Sequence, residues 1–329
     1  MIVVDLSDLQ KYEQTLSDPK SYMGDRVDSL FCIKAFNEVE AIDSLIRAFK
    51  KEQSSELLKH EICYVLGQMN KTEAHVAKIQ QFLEMVIEEK NGYQDIVVHE
   101  AVEALGNLSN EVTLDLIKRF DDPEKTNVMV FETCFLAKEL INWNKVTNHG
   151  QSENINFKEL KFSTNDPAPT FNIYGPTAEK KHLDVRYLES MLINKQEGKD
   201  FDLFQRYRAL FTLREINTAE SCVAICSTLK AENMDSCGAL LKHEVAYVLA
   251  QMETVNSHSI PFLLESVLND EEAPIVRHEA LIAVGEMIDE KTQLAHLLEH
   301  SEDIVRESAE VACRNIDNRL AENQYWLNK

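Results

Sequence analysis

Apolar residues recur along most of this chain at intervals of three and four, as at Ile62, Val65, Leu66 and Met69. That is the stripe of an amphipathic helix. Only 9 Gly and 7 Pro occur in 329 residues, so long stretches contain nothing that would interrupt a helix. The pattern predicts an all-α protein.

The stripes also repeat. ELLKHEICYVLGQM at 56–69 returns as ALLKHEVAYVLAQM at 239–252, identical at ten of fourteen positions, and VVHEAVEALGNL at 97–108 returns as VRHEALIAVGEM at 276–287. The two offsets, 183 and 179 residues, are nearly equal and the order is kept, which indicates a duplicated unit. A shorter period runs inside each half. The frame around His60 and His99 also falls on RVDSLFCIKAF at 26 and VFETCFLAKEL at 130; in the second half it links RYRALFTLREI at 206 with RESAEVACRNI at 306. Each half therefore reads as about four helix pairs of roughly 30 to 40 residues, the size of a HEAT-like repeat. The expected architecture is a HEAT-like helical repeat solenoid with two pseudo-symmetric halves, 1–145 and 181–329.

Between them, residues 146–180 lose helical periodicity and are rich in Asn, Ser, Thr and Pro. Asp166-Pro167 and Ala168-Pro169 disfavour helix at the preceding residue, so this segment is expected to be a long exposed linker, either a tether or a flap over the site.

Composition narrows the function. The formal net charge of −22 would repel a phosphate backbone, which argues against nucleic acid and for a cationic partner, although an acidic excess also serves solubility. The amino terminus shows no signal sequence and no stretch is apolar for the ~18 residues of a membrane span, so no membrane partner and a cytoplasmic protein are expected. Seven cysteines without a CxxC pair (Cys32, Cys63, Cys134, Cys222, Cys226, Cys237 and Cys313) fit buried thiols in a reducing compartment.

The chemistry points elsewhere. Of ten histidines, four are followed directly by glutamate: His60-Glu61, His99-Glu100, His243-Glu244 and His278-Glu279. They occupy equivalent positions in the two middle repeats of each half, whereas Phe131 stands at the histidine position of the unit at 130. A lone pair of this kind reads as packing or a solvated face. Four in register read as a site, because carboxylates gathered without a cation repel one another. Adjacent helical residues diverge by about 100 degrees, so both members of a pair can line one groove. Two facing halves would bring the pairs to one locus. Imidazole and carboxylate without thiolate suit iron, manganese or zinc, and two His with one Glu leave coordination positions open, as non-haem Fe(II) enzymes require.

Taken in order, ELLKHEICYVLGQM, HEAVEALGNL, the NDPAP segment, RYRALFTLRE, CGALLKHEVAYVLAQM, PIVRHEALIAVGEM and IVRESAEVAC resemble the deoxyhypusine hydroxylase family from about residue 25 to 315. The resemblance implies a monooxygenase that hydroxylates the deoxyhypusine side chain of eukaryotic translation initiation factor 5A, using O2, two Fe(2+) per chain and an external electron donor. It assigns His60, His99 and Glu100 to one iron and His243, His278 and Glu279 to the other. Glu61 and Glu244 match positions near the metals and the substrate amine, with a catalytic or a ligating role. The spacing of the pairs, 39 residues in the first half against 35 in the second, suggests an insertion near KNGYQD at 90–95. A metal-free HEAT-like scaffold and a zinc or manganese hydrolase on the same frame remain as alternatives. His75, His149, His182, His258, His296 and His300 lack repeated partners and read as surface or core residues, and Trp143 and Trp326 as packing.

Overall fold

Helices form where the apolar stripes place them, and local chemistry sets their ends. The computed structural model describes residues 6–69, 72–88, 92–108, 111–120, 122–233 and 235–327. Within the expected insertion at 90–95, residues 90 and 91 lie outside the described residues. In chain order the helices are α1 (Leu6–Leu16), α2 (Met23–Phe36), α3 (Val39–Lys51), α4 (Glu56–Gly67), α5 (Glu73–Glu88), α6 (Asp95–Asn107), α7 (Glu111–Ile117), α8 (Val128–Thr147), α9 (Val185–Leu192), α10 (Leu203–Ile216), α11 (Ala219–Cys226), α12 (Ala239–Gln251), α13 (Ile260–Leu268), α14 (Pro274–Met287) and α15 (Asp303–Leu327). Among the described residues there is no strand, and the all-α repeat fold is as expected. The repeat frames fall on α2, α4, α6 and α8, and again on α10, α12, α14 and α15.

The chain forms two compact units. One comprises Met1–Cys134 with Ile288–Lys329, the other Phe135–Met287. In the first, α2 packs against α1 and α15, and α4 lies against α6. In the second, α10 packs on α9, and α12 lies against α14.

Equivalent stop signals end equivalent helices. Asn37 closes α2 at φ 47° and Asn217 closes α10 at φ 53°, both left-handed. Asparagine tolerates that conformation better than most residues and so can end a helix where glycine is absent. Start signals are as specific. The Ser55 hydroxyl accepts from the Leu58 amide at 2.9 Å and sets the first turn of α4, five residues before His60. Asp202 and Gln205 form a reciprocal capping box at the start of α10.

One close approach fixes the spacing of the helices that carry the first two His-Glu pairs. A Cβ on Gly67 of α4 would lie 2.8 Å from Ala104 Cβ of α6, nearer than two carbons can pack. Glycine lets the two backbones meet there.

The segment after α8 corrects the expectation of a uniformly exposed linker. It lacks long helix, as Asp166-Pro167 and Ala168-Pro169 foretell, but residues 167–170 are buried. Arg208 of α10 holds it by donating to the carbonyls of Pro169 at 3.2 Å and Thr170 at 3.2 Å. Trp143, buried as expected, donates its indole N–H to Glu153 at 2.9 Å, and Glu153 also pairs with Arg208. These partners satisfy backbone and side-chain groups that a free tether would leave to water.

Candidate functional site

In the first unit, α4 delivers His60 and Glu61, and its neighbour α6 delivers His99 and Glu100. His60, His99 and Glu100 are buried and Glu61 is half-buried. One carboxylate oxygen stands between the two rings: Glu100 Oε2 lies 3.2 Å from His60 Nε2 and 3.8 Å from His99 Nε2. The ring centroids are 5.6 Å apart. Glu61 approaches from the other side, with Oε1 3.3 Å from His60 Nδ1. Burial opposes charge on His60, but Glu100 and Glu61 outweigh it and raise its pKa to about 10.

The second unit repeats this arrangement on α12 and α14. His243, Glu244, His278 and Glu279 are all buried. Glu279 Oε2 lies 3.5 Å from His243 Nε2 and 3.6 Å from His278 Nε2, with the ring centroids 6.2 Å apart. Ligand atoms of His243, His278 and Glu279 all fall within 4.8 Å of one another.

These separations suit a metal. Donors about 2.1 Å from a common ion stand roughly 3.0 to 3.4 Å apart at octahedral and tetrahedral angles. The Nε2–Oε2 separations of 3.2 to 3.8 Å need only small side-chain movements to reach that range. Two imidazoles and one carboxylate per unit match in residue type the sets that can hold a metal and leave positions open for other ligands. Burial, aided by Glu100, pushes the Cys63 thiol well above its ordinary range.

Two residues near the first set escaped the sequence reading. The Thr133 hydroxyl of α8 donates to the Met129 carbonyl at 2.8 Å, which uses its only proton. It therefore accepts from His99 Nδ1, 3.3 Å away, and that tautomer leaves the Nε2 lone pair on the Glu100 side. Thr133 lies in the repeat that lacks a His-Glu pair, so the motif search passed over it. Glu103 joins His99 and Glu100 in a second group with ligand atoms within 4.8 Å. Its signal is the four-residue step from His99, which places both on one face of α6. The second half has Ile282 at that place, so a search for features shared by the halves could not find it.

Of the remaining histidines, His75 and His182 are buried, the latter stacked on Phe171 at 4.1 Å, while His149, His258 and His296 are exposed. No helix among the described residues is long and apolar enough to cross a membrane.

Comparison with known proteins gives a consistent result. No protein-family model matches the chain. The deoxyhypusine hydroxylase of Mus musculus is 36% identical over 309 residues, covering 93% of this chain and 90% of its own length. That of Candida albicans is 36% identical over 277 residues, covering 83% and 78%. The solved structure of human deoxyhypusine hydroxylase in complex with glycerol superposes with a TM-score of 0.76 at 31% identity, covering 95% of this chain and 96% of the human one. With an all-helical repeat fold, two buried His-His-Glu sets and relatives of this similarity over nearly its whole length, the chain belongs to the deoxyhypusine hydroxylase family.

Proposed function

We propose that this chain is a deoxyhypusine monooxygenase of the non-haem di-iron type, acting on the deoxyhypusine side chain of eukaryotic translation initiation factor 5A. The observation that carries the reading is the duplicated set itself: two buried imidazoles around one carboxylate oxygen, built twice from equivalent repeats. His60, His99 and Glu100 would hold one Fe(2+), and His243, His278 and Glu279 the other. Bound there, the irons supply activation of O2; an external donor supplies two electrons, one oxygen atom enters the side chain and the other leaves as water. A cytoplasmic place of action belongs to the same reading, since the substrate factor serves translation.

The chain's own residues do the rest. Glu61 and Glu244 take a catalytic role by holding the cationic amine of deoxyhypusine, a charge-assisted contact that aligns the carbon to be oxidised. Glu61 is the more exposed of the two, and a carboxylate that reaches water can exchange its contact with His60 for an incoming ammonium. Burial of the four histidines keeps competing water from the ligand atoms.

Iron per chain after anaerobic reconstitution, together with mass analysis of the deoxyhypusine-bearing factor after reaction under labelled O2, tests the proposal. Two irons and a gain of one labelled oxygen are expected. A folded protein that binds no iron would return the chain to the metal-free scaffold reading. Zinc or manganese retained without oxygen incorporation would favour a hydrolase.

A further inference from the structure

The two halves share a cationic aromatic shelf that is covered in one unit and open in the other. In the second unit, Arg214 of α10 lies over the Phe211 ring at 4.8 Å and donates to Gln251 of α12 at 2.6 Å. The segment before α9 lies across this face. Asp166 pairs with the guanidinium, and the Phe162 ring takes its other side at 4.9 Å. The Lys161 amide donates to Glu215 at 2.7 Å and the Phe171 amide to Thr212 at 2.9 Å. Under this cover Phe211 is 0% and Arg214 1% exposed.

The equivalent positions in the first unit are Phe31 and Lys34 of α2, with Gln68 just past the end of α4. The inner half of the arrangement is intact. Lys34 Nζ lies 5.5 Å from the Phe31 ring centroid and 5.8 Å from that of Tyr64, and donates to Gln68. Among the described residues the outer half is missing. Phe31 is 42% exposed, and among the described residues no carboxylate pairs with Lys34. Burial without a compensating charge holds the lysine below its usual range.

We propose that this open shelf docks an extended segment of the protein substrate, one that carries an aspartate or glutamate with an aromatic side chain about four residues away. The internal segment supplies the model for the occupant, since Phe162 and Asp166 have that spacing. The chain lacks the other anchors here. Ala35 replaces Glu215, Cys32 replaces Thr212 and Asp28 replaces Arg208, so the shelf grips one acid and one ring, not a long strap. Its position fits the proposed reaction, on which this inference rests. Gln68 follows His60 by eight residues, about 12 Å along the helix axis, which an extended chain covers in about four residues. In a chain with a net charge of −22, a lysine at this place can fix the register of a substrate drawn in by its cationic groups.

The test is steady-state turnover of the deoxyhypusine-bearing factor by the iron-loaded enzyme and its Lys34→Met, Phe31→Ala and Lys34→Arg variants, with iron measured on each. Methionine keeps the packing of the lysine stem, and arginine is the residue of the covered shelf. The expected result is a KM about tenfold higher in the Met and Ala variants, with kcat at saturation and iron content unchanged, and recovery in Lys34→Arg. An unchanged KM in Lys34→Met and Phe31→Ala overturns the docking face, as does loss of iron in Lys34→Met, which would make the lysine a support of the metal set. A wild-type protein that turns over no factor overturns the hydroxylase reading itself, before any variant is compared.

Discussion

At the scale of single residues, the first His-His-Glu set depends on a side chain that orients one of its histidines as well as on the three residues themselves. His99 presents Nε2 to Glu100 because Thr133 accepts its Nδ1 proton. Thr133→Val keeps the shape and removes the acceptor, so iron affinity of the first set should fall about 10- to 100-fold. Thr133→Ser should retain it, and titration of the metal-free protein with Fe(2+) reads both. Unaltered affinity in the valine variant would rule out the orienting role. His60→Ala and His243→Ala should each lower iron from two to one per chain while far-ultraviolet circular dichroism stays constant, since alanine favours the helix. Full occupancy in both would refute the ligand assignment.

At the scale of elements, the positions of these side chains follow from helix spacing. α4 and α6 touch at Gly67 and Ala104, and His60 and His99 project from the same two helices. Gly67→Ala would gain up to about 1 kcal/mol of helix propensity. The clash with Ala104 opposes it, and overpacking of this kind costs about 1–3 kcal/mol. The net expectation is destabilisation in denaturant unfolding, together with weaker iron binding by the first set. A variant as stable as the parent would show that the two helices can part without cost. The second half has Ala250 and Ala283 at these positions, and its ring centroids are 6.2 Å apart against 5.6 Å in the first.

At the scale of the whole chain, the carboxy-terminal helix is part of the first unit. Glu307 of α15 accepts from the Ser55 hydroxyl at 2.6 Å, joining residues 252 apart in sequence at the start of the helix that carries His60. Burial pushes the Glu307 carboxyl up to about 7, helped by Asp303 and opposed by Ser55, Arg306 and Arg26. The folded chain thus holds this proton more tightly than the unfolded chain. The stability it contributes is complete below pH 4.5, the ordinary value, and is lost as pH rises through about 7. Glu307→Gln should flatten that loss, by on the order of 2 kcal/mol across the window, in urea unfolding measured from pH 5 to 8. An identical pH profile in the variant would show that other groups carry it.

Much of this protein is legible in one dimension because repeats report themselves. A helix pair cannot bury its apolar face alone, so the stripe, its period and the duplicated His-Glu pairs appear together in the sequence. The all-α repeat fold and the four paired His-Glu positions followed from those patterns, and the family resemblance added which glutamate to group with which histidines. Features that break the repeat needed the tertiary structure. Thr133 meets His99 through packing of α8, a contact without a motif. Glu103 has no counterpart in the other half. The Pro-containing segment reads as linker because its backbone is not helical, and only the fold reveals that Arg208, Arg214, Thr212 and Glu215 hold it against α10. Local propensity and period are properties of neighbouring residues, so sequence determined the helices and the residue types of the candidate site. Which side chains meet across helices depends on packing between distant segments, and that only the tertiary structure decided.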